Sequence, residues 1–358
     1  MLGSLGQGLL RSLPALAIGA IGGAAFLYIR MPLAWMLGSM VFVAIAALAG
    51  GPKIMPMKIE PRLRGLMIAV LGVMLGSAFK PEMIDRAREW LGLIALMLVY
   101  VPVATAICYV LFRRFAGLDP VTSYFAATPG GLQEMTLVGE SYGGDGRSII
   151  LTHAIRIFIV VMTVPVWFRF VEGLNVPSMT PGPGIAEMLP VEALLLAACG
   201  LLGWFGAKLL RVPAAQLVGP MLVSATVHLL GWSTAQPPPE AVALAQLVMG
   251  TALGCRFVGT PLALLGRIAV YAVAAAFIML ALAVGLTLGL AEQVGVPTEA
   301  LILVLSPGGM AEMSLVALAL GVEVAIVSSM HVFRIALVVI LAPVAFRLAG
   351  LQKRLRKD

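Results

Sequence analysis

The stretch Thr128-Pro129-Gly130-Gly131-Leu132-Gln133-Glu134-Met135-Thr136-Leu137-Val138 occurs again, with few changes, as Ser306-Pro307-Gly308-Gly309-Met310-Ala311-Glu312-Met313-Ser314-Leu315-Val316. The copies lie 178 residues apart, and the same offset carries His153 and Arg156 onto His331 and Arg334, and Asp145 onto Glu323. It also carries Gly72, Leu75, Gly76 and Phe79 onto Gly250, Leu253, Gly254 and Phe257. Nearer the start of each copy the offset becomes 181, pairing Gly19, Gly22, Arg30, Pro32, Gly38 and Met40 with Gly200, Gly203, Arg211, Pro213, Gly219 and Met221. So many ungapped matches mark a duplicated chain. We place a first repeat at 1–175, a Pro- and Gly-rich linker at 176–185, a second repeat at 186–350 and a basic tail at 351–358.

Around these motifs the sequence is apolar. Of 358 residues, 61% are hydrophobic and 11% charged, and the mean hydropathy is +1.03. That leaves too little polar surface to cover a water-soluble globule. Apolar runs of roughly 17–25 residues recur along the length, each able to cross a hydrocarbon core about 30 Å thick as a helix. The first, Leu13 to Ile29, is short and follows Arg11, as in a signal peptide, but its counterpart in the second half argues that it is retained. The net charge of +7 comes from residues in short loops and in the tail. That is the distribution of topology signals, not a basic face for nucleic acid. Cys108, Cys199 and Cys255 fall inside apolar runs without metal-type spacing and read as small core residues with no disulfide.

Each half offers six elements: four apolar runs, the run interrupted by Pro-Gly-Gly, and a last run carrying the His and Arg. If the interrupted run enters the membrane and returns on the same side, most loop Lys and Arg collect on one face. If it crosses, they spread over both. The positive-inside rule favours the first arrangement. The expected fold is therefore all-α in a membrane: five crossings per half, ten in all, two re-entrant segments, inverted halves, and both termini in the cytoplasm of a bacterial-type inner membrane.

The candidate site follows from what such segments cost in lipid. Proline removes an amide donor and glycine permits close approach, so Pro129-Gly130-Gly131 and Pro307-Gly308-Gly309 end one short helix and start another. The backbone groups so freed have to be met by protein, water or solute. A helix starting after Gly131 or Gly309 points its amides and positive dipole end at whatever binds there, which suits an anion. Glu134 and Glu312 lie in the first turn of these helices, where an acid caps the helix or serves as a protonatable group or cation ligand. His153 and Arg156, like His331 and Arg334, are three residues apart and share a helix face. An arginine in a spanning helix faces the interior and needs a partner, so Glu134 with Arg156 and Glu312 with Arg334 are the natural pairs. The arginines are then candidates for binding a carboxylate, and His153, His331, Glu134 and Glu312 for carrying a coupling proton. Gly72, Gly76, Gly250 and Gly254 have the spacing of close helix contacts.

At these residues the chain resembles the AbrB-duplication membrane family, whose members carry the labels ammonia monooxygenase and AbrB family regulator. The resemblance rests on the Arg-x-Pro-x5-Gly-x-Met element at 30–40 and 211–221, and on the Pro-Gly-Gly-x-x-Glu-Met element at 129–135 and 307–313. It covers nearly the whole chain, and it implies a polytopic protein with the architecture of a secondary transporter. A copper monooxygenase needs a cluster of metal ligands, whereas His153, His228 and His331 are scattered. No soluble DNA-binding module stands outside the apolar runs. The expectation is a transporter of a small organic anion or zwitterion coupled to protons or sodium, with no catalytic residue, metal or cofactor. Its partners are the lipid bilayer and the solute, with a homodimer as the assembly to look for. A membrane sensor acting on a separate regulator is the alternative.

Overall fold

The computed structural model describes residues 2–54, 57–81, 89–174, 176–177 and 183–348. Residues 178–182 of the 176–185 linker and the whole 351–358 tail lie outside the described residues. Those described are helical or irregular, with no strand among them. In chain order the helices are α1 (Leu2–Tyr28), α2 (Ala34–Ile54), α3 (Pro61–Ser77), α4 (Glu89–Val110), α5 (Pro120–Ala127), α6 (Leu132–Ser141) and α7 (Gly146–Phe170). They continue as α8 (Pro190–Leu209), α9 (Ala215–Leu229), α10 (Pro239–Gly254), α11 (Leu262–Val294), α12 (Thr298–Leu305), α13 (Met310–Ala319) and α14 (Val324–Leu348). Proline stands in the first turn of α3, α5, α8 and α10, where its missing amide costs nothing because that donor has no partner inside the helix. Among the described residues six helices, α1, α4, α7, α8, α11 and α14, are long and apolar enough to cross a membrane. This is a multi-pass membrane protein.

The chain divides into two compact units, and neither coincides with a sequence repeat. The first holds 1–86, 162–260 and 311–328; the second holds 87–161, 261–310 and 329–358.

In the first unit, elements at equivalent places in the two halves make equivalent contacts. α1 packs on α2 as α8 packs on α9, and α3 packs on α9 as α10 packs on α2. Glycines set these approaches. A Cβ at Gly38 would collide with the Gly22 carbonyl, and one at Gly219 with the Gly203 carbonyl. At Gly72 it would strike the backbone of Leu217, and at Gly250 that of Met36. The close packing expected of Gly72, Gly76, Gly250 and Gly254 is thus present, helix against helix and half against half. The two Arg-x-Pro turns match as well. Arg30 and Leu33 adopt positive φ of 55° and 46°, and Arg211 and Ala214 adopt 56° and 50°. Left-handed backbone at four non-glycine residues holds only where the surroundings over-determine it.

In the second unit α4 packs on α5 and on α11, and α11 on α12. The last turn of α4 runs on as a π-helical stretch, Leu111–Phe115. Here α5 and α6 form a hairpin. Asp119 accepts from the amides of Val121 and Thr122 and so caps α5. The chain returns past the end of α6, so that the Asp145 amide donates to Thr122 Oγ1 at 2.8 Å and Tyr142 stacks on Phe125 at 5.8 Å between centroids. The start of α5 and the end of α6 therefore lie at one level, and the Pro-Gly-Gly turn lies at the tip. α14 flanks this hairpin: Phe346 contacts Phe125 and Tyr142, and the Tyr124 hydroxyl donates to the Ala342 carbonyl at 3.0 Å.

Candidate functional site

At the tip of the hairpin α5 stops at Thr128, because Pro129 lacks the amide that would continue the ladder. Arg156 on α7 holds the carbonyls on either side of that proline, donating from Nη1 to the Thr128 carbonyl at 3.2 Å and from Nη2 to the Gly130 carbonyl at 3.3 Å. The second half builds the same clamp 178 residues later. Arg334 on α14 donates from Nη1 to the Ser306 carbonyl at 2.7 Å and from Nη2 to the Gly308 carbonyl at 2.8 Å. The arginines expected to pair with glutamates instead cap the broken ends of α5 and α12.

Glu134 lies back over the start of its own helix, its carboxylate packed against Gly131 at the position a Cβ would occupy. The dipole of α6 is met there by a local acid. Glu312, in the first turn of α13, interacts electrostatically with Arg64 on α3. Arg64 in turn feels Arg256, just beyond α10. Both arginines escaped the sequence reading because they break the repeat, their counterparts being Val242 and Ala78.

The histidines differ in what they have left to do. His153 is fully buried. Its Nε2 lies 2.9 Å from the Phe125 carbonyl and its Nδ1 lies 3.0 Å from Arg156 Nη2. A guanidinium has only donors to offer, so Nδ1 accepts and Nε2 carries the proton. The ring is thereby neutral, and a second proton would confront the guanidinium. His331 is fully buried at the matching place on α14. His228 is engaged at both nitrogens by the Ser224 and Ala235 carbonyls, at 2.7 and 2.9 Å, which is a structural role.

Arg156 and Arg334 are 2% and 3% exposed, and both belong to the second unit. Tyr100 of α4, within electrostatic reach of both, is fully buried, and its hydroxyl donates to the Met279 carbonyl at 3.4 Å. Each guanidinium also keeps a buried Nε with no hydrogen-bond partner. A helix end carries about half an elementary negative charge, so each clamp offsets only part of its arginine's charge. What remains is a buried, net-positive pair with spare donors.

Residues 35–350 match the family described as "Transition state regulatory protein AbrB". The chain belongs to the AbrB family. Two relatives span most of it. The "Uncharacterized protein YhjN" of Bacillus subtilis (strain 168) is 25% identical over 329 residues, covering 86% of this chain and 85% of that protein. The "Putative regulator AbrB" of Escherichia coli (strain K12) is 25% identical over 290 residues, covering 80% of this chain and 81% of that one. The family match takes in both Pro-Gly-Gly segments, both arginine clamps and both glutamates. Tyr100 lies within it too, and no sequence signal set it apart from the tyrosines that merely line apolar helices.

Proposed function

We propose that this AbrB family member is a secondary transporter that moves a small organic anion or zwitterion across a bacterial-type inner membrane, coupled to protons or sodium. The observation that carries the reading is the matched pair of buried guanidiniums, Arg156 and Arg334, each held by two turn carbonyls and each keeping an unpartnered Nε. A single arginine at mid-membrane depth costs about 2.5–3.5 kcal/mol on insertion scales, and two within range of one another cost more. A carboxylate or similar anion that both could bind would offset that cost, and guanidinium geometry suits it.

The surrounding fold supports transport. Matched arginine clamps, matched Arg-x-Pro turns and matched glycine contacts fit two repeats of five crossings, ten in all, inverted relative to one another, with both termini in the cytoplasm. Breaks in helices at the ligand site belong to that architecture. Among the coupling candidates Glu312 is favoured over Glu134, which lies against the start of its own helix and meets its dipole, and over His153, which has no lone pair to spare. The reading includes no catalytic step, metal or cofactor.

The printed name of the Escherichia coli relative speaks of regulation, so a membrane sensor is the second reading. Flux separates the two. Purified protein in liposomes, tested by solid-supported-membrane electrophysiology against carboxylates, amino acids and ammonium under proton and sodium gradients, gives a solute-dependent current if it transports. Saturable binding of a solute without any current is the result expected of a sensor.

A further inference from the structure

A groove beside the first Pro-Gly-Gly turn speaks to the shape of the solute. It has a volume of about 360 Å³ and its lining is almost wholly apolar. One wall is a face of α4, with Leu98, Val101, Thr105 and Ala106, and the other is a face of α14, with Val338 and Leu341. Tyr124 and Thr128 of α5 also line it. All of these belong to the second unit. Leu98 and Leu341 are 45% and 46% exposed, whereas Val101, Thr105, Thr128 and Val338 are buried. The groove is therefore open at its rim and closed at its floor.

The floor adjoins the charge. Thr128, which lines the groove, gives its carbonyl to Arg156. Val338, which also lines it, packs against Gly130, the second carbonyl of that clamp. Along α14 the lining residues Val338, Leu341 and Ala345 follow Arg334 at spacings of four, seven and eleven, so they continue its helix face. The floor of the apolar slot is thus formed in part by Thr128, whose carbonyl Arg156 holds, and the slot runs along the α14 face that carries Arg334.

We propose that the solute is an amphipathic organic anion: its head is held by Arg156 and Arg334, and its aliphatic or aromatic body lies in the groove between α4 and α14. This rests on the anion reading above and narrows it. A strongly hydrated anion with no apolar part would leave the slot unfilled. An apolar body lying there gains roughly the transfer free energy of each methylene it buries.

Linear alkanesulfonates test this, because they stay ionised and do not leak through bilayers as neutral acids. Binding of methane-, butane- and octanesulfonate is measured by calorimetry with the full chain in nanodiscs, and empty nanodiscs supply the partition background. The wild-type protein is expected to bind more tightly by about fourfold for each added methylene until the groove is full. Ala106→Phe narrows the groove at its exposed rim, so octanesulfonate should then lose most of its advantage over methanesulfonate. Equal affinity for all three chain lengths in the wild type would overturn the groove assignment and leave the anion site standing. No saturable binding of any of them to protein with an unchanged melting curve would overturn both. The remaining source of an apolar occupant is a membrane lipid. A phospholipid that copurifies, is lost in Ala106→Phe and is not displaced by octanesulfonate would assign the groove to lipid and overturn the proposal.

Discussion

Arg156 and Arg334 show how backbone carbonyls help to hold a charge in an apolar interior. Each donates two hydrogen bonds to the carbonyls that flank the proline after a short helix. The guanidinium does so from two nitrogens fixed in one plane, a geometry that an ammonium does not reproduce. Arg156→Lys and Arg334→Lys are therefore expected to lower the melting temperature and weaken anion binding by at least tenfold, while keeping the charge. Retained affinity in both lysine variants, measured in nanodiscs, would show that charge alone suffices. The glutamates divide in a testable way. Glu134→Gln keeps most of a cap on α6 and should cost about 0.3–1 kcal/mol of stability with solute current preserved. Glu312→Gln, which removes the acid facing Arg64, should abolish coupling to the driving ion. Equal loss of current in the two variants would count against this division.

Among the elements, the α5–α6 hairpin and the glycine-paired helices carry the architecture. The break after Ala127 was legible in Pro129, Gly130 and Gly131, and its doubling was legible at the fixed offset. The loop charges favoured a return of α6 toward the start of α5, but the contacts that hold it there, the Thr122 to Asp145 hydrogen bond and the aromatic contacts among Phe125, Tyr142 and Phe346, were not legible. The partner of each arginine escaped the sequence for a similar reason. The carbonyls lie 26 and 28 residues away along the chain, every residue offers a carbonyl, and only glutamates stand out as acceptors in a string of letters. The glycine spacing did announce close packing, though not with which helix. Gly38→Leu or Gly219→Leu should force α1 from α2, or α8 from α9, at a cost of about 1–3 kcal/mol or more. A thermal melt of the purified protein checks this, and a wild-type melting temperature in either variant would contradict the packing.

The molecule as a whole is organised differently from its sequence. The duplication divides the chain near residue 180, yet each compact unit takes equivalent elements from both halves: α1–α3 with α8–α10 in one, α4–α6 with α11 and α12 in the other. No contiguous half holds either unit, and α13, the counterpart of α6, falls in the first unit and not the second. Residues 1–175 expressed alone should therefore fail to give folded protein, whereas coexpression with 186–358 should restore a species that copurifies and melts cooperatively. A folded, monomeric first half on size-exclusion chromatography would contradict this.

The central claim, a transported anion held by two buried arginines, is tested most directly by solid-supported-membrane electrophysiology on liposomes holding the wild type or the Arg156→Ala, Arg334→Ala double variant. The account predicts an anion-dependent current in the wild type and none in the double variant, with both proteins shown to be folded by their melting curves. A full current from the double variant would contradict it.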